Sequence, residues 1–69
     1  MNKTDVLTGR IVQRVLDAMN ENPHVTIVHG IDDCHNLSYL MDNIWAYFPD
    51  ASITFEKLRY GYELKIEVG

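Results

Sequence analysis

The sequence predicts an α+β fold, and three observations lead there. Two stretches carry apolar residues at the three-and-four spacing of a helix face, three others are short and β-branched or strictly alternating, and their order is helix-strand-helix-strand-strand. The expected architecture is a two-layer sandwich with both helices on one face of a three-stranded mixed sheet that ends in a C-terminal β-hairpin.

The first helix is read from Val6 to Met19, where Leu7, Ile11, Val12, Val15, Leu16, Ala18 and Met19 fall on one side. Thr4 or Asp5 is the expected cap, and Arg10, Gln13, Arg14 and Asp17 share the opposite face. Asn20-Glu21-Asn22-Pro23 stops the helix, because proline disfavours helical dihedrals in the residue before it. A strand is expected from His24 to His29 with Val25 and Ile27 on one face, and Gly30 is expected to end it.

A loop from Gly30 to Asn36 leads to the second helix, in which Leu37, Leu40, Met41, Ile44, Trp45 and Phe48 form a stripe that Pro49 closes, and Asp32 and Asp33 are expected as helix-entry residues. Ile53 and Phe55 alternate with Thr54 and Glu56; Tyr62, Leu64, Ile66 and Val68 alternate with Glu63, Lys65 and Glu67. A turn at Tyr60-Gly61 would set Phe55 opposite Ile66, Ile53 opposite Val68 and Glu56 opposite Lys65.

The order of elements is similar to that of small sulfur-carrier and ribosomal-protein modules. The Cys-Pro pair that starts the first helix of sulfur carriers is missing here, where Gly9-Arg10 stand near that place, so no function is transferred.

Length and charge narrow the function classes. A chain of 69 residues makes one domain, residues 1–69, with a single modest core. Cys34 is the only cysteine, so no internal disulfide is possible and a reducing compartment is expected. Neither a signal-peptide layout nor an apolar run of the roughly 20 residues that span a bilayer is present, so the reading is cytoplasmic with no membrane contact. The net charge of −4 repels phosphate backbones, which argues against nucleic acid as the main partner.

No phosphate loop, serine elbow or metalloprotease motif appears, so no enzymatic activity and no cofactor are expected. His29, Cys34 and His35 are candidate metal ligands, and Cys34 near a helix start is a candidate thiolate. His24 cannot join His29 on one ion, because a strand sets them roughly 16 Å apart at ~3.3 Å per residue.

The widest signal is apolar. The arc on the first helix covers about half its circumference, whereas packing on a sheet needs only ~100°. Aromatic residues flank the stripe of the second helix. The leading expectation is therefore a small non-enzymatic interaction or regulatory protein, a host- or phage-encoded modulator that binds a protein partner and forms a homodimer. Its expected contact residues are Val12, Leu16, Tyr39, Trp45 and Tyr47. Two alternatives stand beside it: an RNA or single-stranded DNA binding module using Arg10, Arg14, Lys57, Arg59 and Tyr60, and a metal or thiol site around His29, Cys34 and His35.

Overall fold

Asn2, one residue before the first helical position, captures the chain at its start. The computed structural model describes residues 2–69, and in it the Asn2 side chain accepts a hydrogen bond from the Asp5 backbone N–H at 2.8 Å. Helix α1 thus runs Lys3–Met19. It begins earlier than expected because the cap is Asn2, while Thr4 and Asp5 lie inside the first turn. Thr4 and Thr8 are buried and hydrogen-bonded: the Thr8 hydroxyl donates to the Thr4 carbonyl at 2.8 Å, and the Thr4 hydroxyl meets His35 Nδ1 at 3.0 Å.

Strand β1 is Val25–Ile31, so Gly30 does not end it. The chain continues because Ile31 is 5% exposed and pairs with Tyr62, which adds one more apolar contact to the core. Helix α2 is Leu37–Tyr47, capped by the Asn36 side chain, which accepts from the Tyr39 N–H at 3.0 Å. Asp32 and Asp33 lie in the preceding loop, as expected, but the helix-entry role is taken by Asn36. Strands β2, Ser52–Lys57, and β3, Tyr62–Val68, form the hairpin.

The sheet order is β1-β3-β2, and both pairings are antiparallel. This corrects the expectation of a mixed sheet. β1 and β2 run parallel, but β3 lies between them, so the α2 crossover joins strands that are not neighbours. Placing β3 centrally suits its composition, since Leu64 and Ile66 are fully buried and the central strand is flanked on both sides.

The hairpin register is also corrected. Phe55 faces Leu64, Ile53 faces Ile66 and Glu56 faces Glu63, two residues away from the expected partners. The turn is Leu58-Arg59-Tyr60-Gly61, closed by the Leu58 N–H donating to the Gly61 carbonyl at 3.0 Å. A shift by two leaves each side chain on its original face, so alternation could not tell the two registers apart.

The main core joins Ile11 of α1, Leu40 and Ile44 of α2, Ile31, Leu64 and Ile66 of the sheet, and Ala51. A second cluster of Val15, Val25 and Ile27 holds the far end of α1 on β1. Val12, expected at an interface, is 7% exposed and is part of the monomer's buried interior. Among the described residues no helix is long and apolar enough to cross a membrane.

Candidate functional site

Hydrogen-bonded and non-bonded pairs alternate along an antiparallel ladder. The Leu58–Gly61 bond sets that alternation, making Glu56↔Glu63, Thr54↔Lys65 and Ser52↔Glu67 the bonded pairs of the hairpin. Leu64 and Ile66 then turn their backbone groups toward β1, opposite His29 and Ile27. Consequently Thr26, Val28 and Gly30 direct their N–H and C=O groups away from β3, along the free edge of the sheet.

An open groove of about 440 Å³ lies at the Gly30 end of that edge. Helix α1 supplies one wall with Lys3, Val6, Leu7 and Arg10; the end of β1 and the following loop supply the other with His29, Gly30, Ile31, Asp32, Cys34 and His35. Thr4 ties the loop to the start of α1 through His35, so the groove is braced at that end. One turn beyond Arg10, the Arg14 guanidinium reaches β1 and donates to the Val28 carbonyl at 3.2 Å and to His29 Nδ1 at 2.7 Å.

The second of these bonds assigns the state of His29. Arginine has only donors, so Nδ1 must be the acceptor and the ring is neutral with its proton on Nε2. Electrostatics agree: partial burial, and then the Arg14 and Arg10 charges, hold the imidazole below its ordinary value of 6.5. The sign for stability follows. As pH falls through 6.5 the unfolded chain takes up this proton before the folded one, so stability present above 6.5 is lost on acidification toward the lower folded value. In urea melts at about pH 7.5 and about pH 5.5, the wild-type midpoint is expected to drop more than that of His29→Gln. Equal drops in both proteins would remove His29 from this account.

The metal and thiol candidates share the groove without forming a ligand set. His29, Cys34 and His35 line the same groove, but among the described residues no three of His, Cys, Asp or Glu gather to hold a metal ion. His29 Nδ1 is taken by Arg14 and His35 Nδ1 by Thr4, while Cys34 is exposed in the loop.

Of the expected contact residues on the helices, Leu16, Tyr39, Trp45 and Tyr47 are exposed, Tyr47 most at 64%. Tyr39 donates to Asp5 at 2.9 Å and Trp45 Nε1 donates to the Ala51 carbonyl at 2.9 Å. These two project about 120° apart around α2 and so belong to no common patch.

The expected nucleic-acid residues divide into two groups. Arg10 and Arg14 lie on the α1 flank, and Lys57, Arg59 and Tyr60 lie at the hairpin. Lys57 is paired with Asp33 at 3.0 Å and sits 4.6 Å from the Tyr62 ring centre; Arg59 lies 5.8 Å from that of Tyr60.

The free edge at Thr26, Val28 and Gly30, with its Arg14 contact, is absent from the expected residue sets. A signal for the strand's true length was present, since Val25, Ile27, His29 and Ile31 continue one alternation through Gly30. Compared with known proteins, the chain matches no family model, no curated protein and no solved structure.

Proposed function

We propose that this chain is a non-enzymatic interaction protein that binds a protein partner by taking an extended segment of it onto the free edge of β1. The observation that carries the reading is the row of outward backbone groups on Thr26, Val28 and Gly30, which leads at its Gly30 end into an open groove. An extended peptide that adds to a sheet edge gains affinity from main-chain hydrogen bonds and specificity from the pockets its alternate side chains meet. Here the α1 wall of the groove would read one side of that segment, and exposed Val28, 47% accessible, would meet the other. A cytoplasmic setting belongs to the proposal, because the single thiol, Cys34, has no disulfide partner in the chain.

Arg14 fits the same reading. Native proteins shield free edges with charged side chains, and the Arg14 guanidinium occupies the Val28 carbonyl at the middle of this one. An arriving strand would take that carbonyl and release Arg14.

Val28→Pro tests the proposal. Proline lacks the N–H that an incoming strand needs, yet an edge position tolerates it because that N–H does not pair with β3. Peptides of about eight residues, slightly more than β1 spans at ~3.3 Å per residue, would be selected from a random display library on the wild-type chain. They are expected to bind Val28→Pro at least ~10-fold more weakly, about 1.4 kcal/mol, while its circular dichroism stays native. Equal binding to a folded Val28→Pro would rule out the β1 edge.

A further inference from the structure

Lys3, Arg10 and Arg14 point in nearly one direction: at 100° per residue they lie within about 40° of one another around α1. They form a stripe along the helix flank that borders the β1 edge. Among the described residues the ion pairs are Lys57–Asp33 and Lys65–Glu67, so no carboxylate pairs with any of the three. This is a chain of ten acidic and six basic side chains. Acidic residues are abundant elsewhere, yet these cations stand together without a carboxylate partner. Two carboxylates are near this flank. Asp32 lines the groove, and Asp17, at the far end of the stripe, accepts from Gln13 at 2.8 Å.

We infer that the segment taken up by this edge is acidic, with carboxylates on alternate residues of an extended strand facing Arg10, Arg14 and Lys3. The inference rests on the reading of β1 as the docking edge and names the chemistry of what docks there. In an extended strand, alternate side chains point to one face and repeat every ~6.6 Å. Arg10 and Arg14 are four residues apart on the helix, a rise of about 6 Å. The two spacings match closely enough for successive carboxylates to meet successive guanidinium groups. Once Arg14 is released from the Val28 carbonyl, a carboxylate is the group best suited to its paired donors.

Two other occupants fit less well. A second copy pairing its own β1 across a two-fold axis would bring both Arg14 side chains to the middle of the joined edge, where like charges repel. A single-stranded nucleic acid would satisfy the charges, but among the described residues no Phe, Tyr or Trp lines the groove to stack its bases, and it cannot pair with the strand backbone.

The experiment is fluorescence anisotropy with four labelled probes: a peptide of alternating glutamate and threonine, its lysine-threonine counterpart, a peptide of the same Glu/Thr composition with the glutamates in one block, and oligothymidine. The alternating acidic peptide is expected to bind best and to weaken with added salt, and Arg10→Glu is expected to bind it about tenfold more weakly. Arg10 is exposed, so the variant should keep its fold, which circular dichroism checks. Val28→Pro should abolish binding of the same probe. If the lysine or block peptide binds as well as the alternating acidic one, or Arg10→Glu binds unchanged, the acidic assignment is overturned while the edge reading survives through its own Val28→Pro result. If oligothymidine binds more tightly than every peptide, and does so equally on Val28→Pro, the flank is a nucleic-acid surface and the inference fails. Absence of binding by all four probes at low salt also overturns it.

Discussion

Replacing Leu64 with alanine is expected to unfold most of the protein at room temperature. Leu64 is fully buried on the central strand, between His29 of β1 and Phe55 of β2, and it shares the main core with Ile11, Leu40, Ile44 and Ile66. Truncating a leucine at such a site costs ~2–5 kcal/mol, because the lost transfer energy adds to that of an incompletely collapsed cavity. A single core in a chain this short rarely supplies more than ~3–5 kcal/mol in total. One substitution is thus comparable with the whole stability. Far-UV circular dichroism and a urea melt would read it, with exposed Lys65→Ala on the same strand as a control expected to stay within about 0.5 kcal/mol of wild type. A Leu64→Ala protein that loses less than about 1 kcal/mol would mean that this side chain is not at the centre of the core.

Gly61→Ala is expected to be the next most damaging change, through backbone rather than packing. Gly61 has φ +80°, a left-handed conformation that costs an L-residue roughly 1–2 kcal/mol. Space is the second obstacle. A Cβ at this position would lie 2.2 Å from the Ile31 carbonyl oxygen and 3.2 Å from its carbon. Both atoms are backbone, so the end of β1 and the hairpin turn would have to separate. The expected loss exceeds the ~1–2 kcal/mol of the dihedral term alone, and chemical shifts should move at Ile31 and Tyr62, whose pairing closes this end of the sheet. Gly9→Ala gives the contrast. It sits inside α1 with nothing within 4 Å of the added carbon, and is expected to stabilise by ~0.5–1 kcal/mol. If Gly61→Ala were as harmless as Gly9→Ala, the close approach of the turn to β1 would be wrong.

These two residues also show how differently parts of the fold were legible. Leu64 could be placed on an inward face from sequence, because a strand sends alternate side chains to opposite sides whatever it pairs with. The need for glycine at position 61 was not legible as such. Sequence marked a turn at Tyr60-Gly61, but the turn is centred one residue earlier, and Gly61 is required by its approach to Ile31, thirty positions away. The start of α1 is missed for a related reason, because Asn2, Thr4 and Asp5 all stand near it and each is a capping residue type. The start of α2 at Leu37 is legible, since the apolar stripe begins there after a polar loop.

The candidate site was less legible still. In sequence, Arg10, Arg14, His29, Cys34 and His35 stand out singly and point to separate chemistries. They line or border one groove because α1 lies against β1, with Thr4 bonded to His35 at one end and Val15 packed on Val25 and Ile27 at the other. Nothing in the local pattern of either segment carries that information. The apolar width of α1 illustrates the same limit. Val12 turned inward and Leu16 remained 45% exposed, although both belong to the same arc in sequence.

Sequence by itself determined which segments are helix or strand and which side of each is apolar, since these follow from side-chain directions set by the local backbone. The tertiary structure decided what those faces meet. It put β3 between β1 and β2, selected the hairpin register from two that alternation permits, left the edge at Val28 without a strand partner, and set Lys3, Arg10 and Arg14 beside it with no carboxylate paired to them among the described residues. The physical reason is common to all four. Each depends on contacts between residues far apart along the chain, whose free energy exists only once the elements have packed.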